Sequence, residues 1–144
     1  MAPDLEIARR CAKEMWAVDN ASRLLGIEVE VTAVGAATAT MRVREDMVNG
    51  FNVCHGGMVY TLADTAFAFA CNSYNQITLS ASGNIHYLRS AMLGDELTAV
   101  AVEDYRGDRR GFYTVRVTNQ NGEAVALFRG RSVSRDEPIV DLVK

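Results

Sequence analysis

Cysteine, histidine and proline are scarce in this chain of 144 residues, which holds three cysteines, two histidines and two prolines. Cys11, Cys54 and Cys71 form an odd set without a C-x-x-C spacing, so the sequence predicts neither a disulfide framework nor a zinc site. Three thiols in a chain of this size fit a reducing compartment. The first ten residues also lack the apolar segment of a secretion signal, so we expect a cytoplasmic protein.

An excess of positive charge is also missing. Lys and Arg number 15 against 18 Asp and Glu, which gives a net charge of −3 and predicts no nucleic-acid partner. The longest apolar stretch, residues 58–75, is interrupted by Thr61, Asp64 and Thr65 and is too short to cross a membrane. The length fits a single domain over residues 1–144, with a core at about 24–134.

The apolar stretch itself predicts the central element of the fold. Residues 58–75 are apolar on nearly every face of a helix, which is typical of a helix buried on all sides. A polar turn that ends in Gly56 and Gly57 leads into it, so we expect the helix to begin there. Asp64 lies in its middle, and a charged group is rarely buried without a partner or a purpose.

Most of the remaining chain alternates apolar and polar residues, which predicts half-buried strands. They are expected at residues 27–31, 37–43, 76–87, 97–105, 112–118 and 124–133. Two strands, a long helix and four strands predict an α+β architecture, with the helix against an antiparallel sheet of five or six strands. One helix leaves part of such a sheet uncovered, which favours a homodimer.

Turns and termini complete the prediction. Short helices are expected near residues 5–16 and 20–25, before the first strand. Gly35 and residues 106–111 mark turns, and Asn121-Gly122 is typical of a tight hairpin. Residues from Asp136 onward show little pattern and are predicted to be a mobile tail.

The arrangement Asn49-x5-His55-Gly56-Gly57-x6-Asp64, ahead of four strands, resembles the hotdog-fold thioesterases, and within them the PaaI-like type. The stretches that begin at His55, Gly111 and Ala126 are similar to that subgroup. The resemblance implies a long helix wrapped by the sheet, dimers or dimers of dimers, and hydrolysis of acyl-CoA thioesters without a metal or other cofactor. It also implies an active site between subunits, with the loop and helix start from one and the carboxylate from the other.

The two central roles follow from the resemblance and from helix chemistry. The N–H of Gly56 would polarise the thioester carbonyl, because the first amides of a helix lack intrahelical partners. Asp64 would act either as general base on water or as direct nucleophile. The alternatives are that the glycines only permit a sharp turn, and that Asp64 is a structural carboxylate bonded to the backbone or to Thr65.

Three further residues are candidates. Asn49 would place an amide near the thioester or the carboxylate, or it is an ordinary turn residue. His55 would donate a hydrogen bond that fixes the loop. Ser82 would hold the water or the carboxylate, or it is a polar residue on the outer face of its strand.

The nucleotide of CoA carries phosphates, so strand ends and turns rich in arginine are candidate binding sites. The candidate residues are Asn84, Arg89, Arg109 and Arg110. The alternative is a solvated turn whose charges serve solubility.

The leading functional hypothesis is an acyl-CoA thioesterase that acts on phenylacetyl, hydroxyphenylacetyl or similar acyl groups. One alternative is a hotdog dehydratase, which pairs a histidine with an acid; only His55 and His86 are available for it here. The other is a non-catalytic acyl-CoA binder or sensor, which has no need of a carboxylate within its central helix.

Overall fold

The structure, a computed structural model, describes residues 4–142. The helices are α1 (Leu5–Ala17), α2 (Asn20–Leu24) and α3 (Gly56–Cys71). The strands are β1 (Glu28–Ala33), β2 (Ala36–Arg42), β3 (Thr78–Tyr87), β4 (Glu96–Gly107), β5 (Arg110–Thr118) and β6 (Ala124–Ser134). Single 3₁₀ turns stand at Glu45–Met47 and directly after α3, at Asn72–Tyr74.

The six strands form one antiparallel sheet in the order β1-β2-β4-β5-β6-β3, with α3 packed against one face. The predicted α+β architecture is therefore confirmed, with six strands. The chain leaves α3 and crosses to the far edge of the sheet, where β3 pairs with β6.

Glycines in two neighbouring strands let α3 approach the sheet closely. A Cβ on Gly130 would lie 2.8 Å from the ring of Phe67, and a Cβ on Gly83 would lie 2.2 Å from the hydroxyl of Tyr60. The aromatic side chains of α3 occupy the space that larger residues would fill. This contact fixes the face of α3 that carries Tyr60 and Phe67 above β3 and β6.

β3 forms an open edge of the sheet and runs antiparallel to α3. Its end lies at the start of the helix, where the Tyr87 hydroxyl contacts Gly56, and its middle lies beneath Tyr60. The alternation in this strand predicts one buried face, yet Leu79 and Tyr87 are 50% and 51% exposed. Leu79 pairs with the exposed Val133 on the face of the sheet away from α3, and Tyr87 lies at the end of an edge strand that has a neighbour on one side only among the residues described.

One predicted turn is confirmed and a second differs from the prediction. Asn121-Gly122 connects β5 and β6 as predicted, in a loop of residues 119–123, since Thr118 pairs with Ala124. The Asn119 side chain accepts two backbone N–H groups and shapes this longer loop. The predicted turn at residues 106–111 contracts to Asp108 and Arg109, because β4 and β5 extend into it.

The prediction of a mobile tail from Asp136 is wrong for residues 136–142. Asn75, in a left-handed conformation, accepts the N–H groups of Ile139 and Val140 and donates to the Val140 carbonyl. Val140 is 8% exposed and packs with Ile7 and Cys11. Local sequence gives no sign of this, because the side chain that holds the tail lies 65 residues earlier. Residues 143 and 144 lie outside the described part of the chain.

The predicted N-terminal helices are confirmed. Asp4 caps α1 and Asp19 caps α2, and each side chain accepts a backbone N–H of the first turn. Gly26 follows α2 with a φ of +68°, a left-handed conformation that glycine adopts without strain. None of the helices within residues 4–142 combines the length and apolar character needed to span a bilayer.

Candidate active site

The start of α3 leaves one backbone amide without a partner. His55 is the N-cap, and its Nδ1 accepts the N–H of Gly57 at 3.2 Å. The N–H of Met58 donates to the His55 carbonyl at 2.9 Å. Among residues 4–142, nothing accepts the N–H of Gly56. The N–H of Gly56 is therefore a free donor at the positive end of the helix dipole.

His55 fixes the helix start in a different way from the prediction. We expected its side chain to donate a hydrogen bond, but its Nδ1 accepts one from the helix. The loop is tied by its backbone instead, since the His55 N–H donates to the Met47 carbonyl at 2.8 Å. A neutral imidazole with Nδ1 unprotonated is the form that can make this cap.

Asn49 organises the loop that leads to α3. Its side-chain oxygen accepts the N–H groups of Phe51 and Val53, at 2.9 and 3.2 Å. The turn role is therefore confirmed. The NH₂ group of the same amide has no acceptor in the described part of the chain, so it remains available to a ligand.

A cavity of about 400 Å³ opens beside this loop and the start of α3. Its lining includes three of the predicted site residues, Asn49, Gly56 and Arg89. Tyr87, at the end of β3, also lines it, and its hydroxyl donates to the Gly56 carbonyl at 2.7 Å. Arg89 is half exposed and pairs with Glu123 at 3.0 Å, which partly neutralises it.

Asp64 lies eight residues after Gly56, about 12 Å along the same helix. It is half-buried, and it makes no hydrogen bond or ion pair within residues 4–142. The structural alternative needed a bond to Thr65 or to the backbone. The Thr65 hydroxyl instead contacts the Thr61 carbonyl and the hydroxyl of Ser22.

The environment of Asp64 changes its acidity. Burial raises the pKa of this carboxyl above its ordinary value, because a charged group loses solvation there. Within residues 4–142, no cation or hydrogen-bond donor offsets that loss. An acid with this character takes up a proton more readily than a surface aspartate, which suits a general base.

A β-bulge decides which serine of β3 faces α3. Ser80 pairs with Ser132 but Ser82 pairs with Arg131, so β3 contains one extra residue, Ala81. The two serines therefore point to opposite faces. Ser82 lines a second cavity of about 810 Å³ together with Asn84 and Arg129. Ser80 shares the face of the buried Ser132, which is the face that α3 covers.

The predicted nucleotide-binding residues do not gather in one place. Arg89 lines the cavity beside Gly56, and Asn84 lines the second cavity. Arg109 lies in the β4–β5 turn and pairs with Asp136, while Arg110 begins β5. This turn lies at the end of the sheet away from Gly56, since Arg109 contacts the last residues of β6. Within one chain these arginines form no common phosphate site.

The sequence and fold also match known proteins. The model of the thioesterase superfamily matches residues 51–126, more than half of the chain. The chain belongs to the thioesterase superfamily. It is 41% identical over 121 residues to acyl-coenzyme A thioesterase PaaI of Escherichia coli (strain K12), covering 84% of this chain and 86% of that protein. Acyl-coenzyme A thioesterase 13 of Homo sapiens is 30% identical over 125 residues, covering 84% and 89%.

The solved structure of the E. coli PaaI protein superposes with a TM-score of 0.90 and 38% identity, covering 93% of this chain and 97% of that chain. These matches confirm the hotdog fold, the resemblance to PaaI-like thioesterases and the prediction of a thioester hydrolase. The roles of the individual site residues, the lack of a cofactor and the cytoplasmic location stay predictions. In the described residues, no three His, Cys, Asp or Glu side chains lie close enough to hold a metal ion.

Sequence reasoning missed Tyr87 as a site residue. Its alternation within β3 predicted only a core position, and the contact with Gly56 joins residues 31 positions apart. The β-bulge at Ala81 was also missed, because nothing in the local sequence marks it. No local signal identifies either feature, since both arise when β3 pairs with β6 beneath α3.

Proposed function

We propose that the chain hydrolyses an acyl-CoA thioester to the free acid and CoA, in a site built from two copies. The observation that supports this is that α3 carries two polar groups without a hydrogen-bond partner in the described residues, one a donor and the other an acceptor. In the part of the chain that the structure describes, the Gly56 N–H has no acceptor and borders a cavity, and the half-buried Asp64 has no partner. One group suits the carbonyl oxygen of a thioester, and the other suits the attack on its carbon.

The chemical steps need only these groups and water. The carbonyl oxygen accepts the Gly56 N–H and gains negative charge as the carbon is attacked, and a donor of this kind contributes about 3–4 kcal/mol. Asp64 either removes a proton from the attacking water or attacks the carbonyl itself to give an anhydride that water then opens. In both cases the C–S bond breaks and CoA leaves as the thiol.

One copy cannot bring these two groups together, because about 12 Å of helix separates Gly56 from Asp64. A two-fold axis near the middle of the helix would place the Asp64 of a second copy near the Gly56 of the first. Two features support such a contact: the open edge of β3, and the exposed side of α3 that carries Gly57, Thr61 and Ala68 beside Asp64. A monomer in light scattering would contradict this proposal.

The strand register favours Ser80 for the hydroxyl that we first assigned to Ser82. Gly83 lies beneath Tyr60, and β3 runs antiparallel to α3. Asp64 lies one helical turn beyond Tyr60, about 5–6 Å, which corresponds to about two residues of strand. Residues 80 and 81 are therefore level with Asp64, and of the two serines only Ser80 faces the helix.

An aryl-acetyl group is the substrate we propose. The E. coli relative is named an acyl-coenzyme A thioesterase and comes from the phenylacetic acid degradation operon. The cavity beside Gly56 is lined by apolar side chains such as Val59 and Val125, with Arg89 at its edge for a phosphate. Asn84, Arg109 and Arg110 would reach the nucleotide only from another copy or around the edge of the sheet.

Release of free thiol from purified protein tests the proposal. Phenylacetyl-, hydroxyphenylacetyl- and straight-chain acyl-CoA are compared without added metal. We expect thiol release to be fastest with the aryl-acetyl substrates. Tight binding of acyl-CoA without release would support the binder alternative, and fastest release from straight chains would overturn the aryl-acetyl assignment.

A further inference from the structure

A hydrogen bond ties the open edge strand to the first residue of α3. The Tyr87 hydroxyl donates to the Gly56 carbonyl at 2.7 Å, across 31 positions of sequence. That carbonyl also begins the hydrogen-bond pattern of the helix, so the tyrosine adds a second bond to the same oxygen. The bond fixes the residue whose N–H is the free donor of the first turn.

The same hydroxyl also limits the space around Gly56. A Cβ on Gly56 would lie 2.9 Å from the Tyr87 oxygen and 3.0 Å from the adjacent ring carbon. The tyrosine ring therefore sits against the glycine, and one side of it faces the cavity that Gly56 lines. The contact and the bond both oppose displacement of Gly56, whose N–H and carbonyl belong to the two peptide units on either side of its Cα.

We propose that Tyr87 is a positioning residue, whose hydroxyl orients Gly56 so that the Gly56 N–H points at the thioester oxygen. It acts through Gly56 and does not itself touch the reacting atoms. This inference rests on the proposed function, since it assigns a task to the amide that polarises the carbonyl. A donor must sit within a few tenths of an ångström of the developing charge, so a loose Gly56 would lower the rate.

The bond is not required to hold the fold together. The β6 ladder already fixes β3, and α3 is packed along its length against the sheet. Burial and the neighbouring Tyr60 and Cys54 raise the pKa of Tyr87, so its hydroxyl keeps the proton that it donates to Gly56 at neutral pH. The hydroxyl is therefore a constant donor across the working range of the enzyme.

Tyr87→Phe removes only the hydroxyl and tests the proposal through the split between kcat and KM. We expect kcat to fall about fivefold to tenfold, the effect of one hydrogen bond, with KM within about twofold of wild type. Tyr74→Phe is the matched control. Its hydroxyl also donates at 2.7 Å, to Glu103, but it lies near the other end of α3. We expect that variant to lose some thermal stability and to keep its kcat.

The Gly56→Ala variant allows a second measurement, the coupling of its kcat to Tyr87→Phe, which a purely structural role of Tyr87 would not affect. The added Cβ meets the Tyr87 oxygen, so we expect Gly56→Ala alone to lower kcat. In the Gly56→Ala background, Tyr87→Phe removes the nearer of the two atoms that the Cβ meets, while the ring carbon at 3.0 Å stays. We therefore expect Tyr87→Phe to lower kcat by a smaller factor in this background than in the wild-type protein.

Three outcomes would overturn the inference. They are an unchanged kcat in Tyr87→Phe, a raised KM with kcat intact, and additive losses in the double variant. Absence of thiol release by the wild-type protein from every acyl-CoA tested is a different failure. It would overturn the proposed function, and the role of Tyr87 with it.

Discussion

The first turn of α3 and the middle of the same helix differ in how far their polar groups are hydrogen-bonded. At the first turn, hydrogen bonds of His55, Asn49 and Tyr87 fix the loop and the helix start, and among the described residues nothing accepts the backbone N–H of Gly56. In the middle, Asp64 is half-buried and has no partner within residues 4–142. Under the proposed function, the helix start is organised within one chain, whereas Asp64 acts on a substrate held by a second copy.

The lack of a partner for Asp64 lowers the stability of the fold, and this loss arises in the middle of the helix alone. A carboxylate that loses solvation without gaining a partner destabilises the fold. Because the pKa of folded Asp64 is raised, the folded chain holds its proton to higher pH than the unfolded chain does. The penalty is therefore absent at low pH and fully present above the raised pKa, so it persists at neutral pH.

The largest expected effect is that of Asp64→Asn. We expect turnover to fall by about a thousandfold or more, because the base or nucleophile is lost. The melting temperature should rise by about 2–4 °C at neutral pH, because the penalty disappears with the charge. Asp108→Asn, in the exposed β4–β5 turn, is the matched control and should change neither quantity. Full activity of Asp64→Asn would show that the carboxylate in the middle of α3 has no catalytic role, and would contradict the contrast between the two regions.

The second largest expected effect distinguishes the loss of the Gly56 N–H donor from the addition of side-chain bulk at Gly56. Gly56→Pro deletes the donor, and proline suits the first position of a helix. The preceding His55 has φ −57° and ψ 134°, which a following proline allows. Gly56→Ala adds a Cβ but keeps the N–H. We expect the proline variant to be about a hundredfold to a thousandfold slower than the alanine variant. Equal rates would show that the amide takes no part.

The pH profile of kcat/KM follows from the same contrast. The active form of Asp64 is the charged form, and burial raises its pKa. Activity should therefore fall on the acid side at a pH above the ordinary range of a carboxyl. Asp64→Asn should lose this acid limb in whatever activity remains. A limb at the ordinary pH of an exposed aspartate would mean that Asp64 is solvated in the working enzyme.

The smallest effect concerns Arg89 at the edge of the cavity. If Arg89 binds a phosphate of CoA, Arg89→Ala should raise KM by about threefold to tenfold, and less so at high salt. Its partner Glu123 competes for the same guanidinium. Glu123→Gln should therefore lower KM. A rise in KM in both variants would indicate that the ion pair only supports the loop.

Sequence alone predicted the parts of the site that depend on neighbouring residues. The helix start at Gly56, the buried character of α3 and the position of Asp64 in its middle all follow from residues within two turns of one another. The fold class followed from the strand periodicity and from the resemblance. The two short helices predicted before the first strand are equally local, and the structure has both of them.

The missed features depend on contacts between distant parts of the chain. Tyr87 meets Gly56 only because β3 returns beneath α3, and Asn75 holds a tail 65 residues away. The bulge at Ala81 reverses the direction of Ser82, so within one chain this side chain lies on the face of the sheet away from α3. Such contacts leave no trace in local periodicity.

Subunit mixing tests most directly the claim that Gly56 and Asp64 serve different sites. Gly56→Pro and Asp64→Asn chains, each inactive, are denatured together, refolded and assayed for thiol release. If the site is shared, half of the pairs are mixed and each mixed pair has one intact site. We therefore predict about a quarter of wild-type activity from an equal mixture. A mixture as inactive as its two components, with mixed dimers present, would contradict a site shared between subunits.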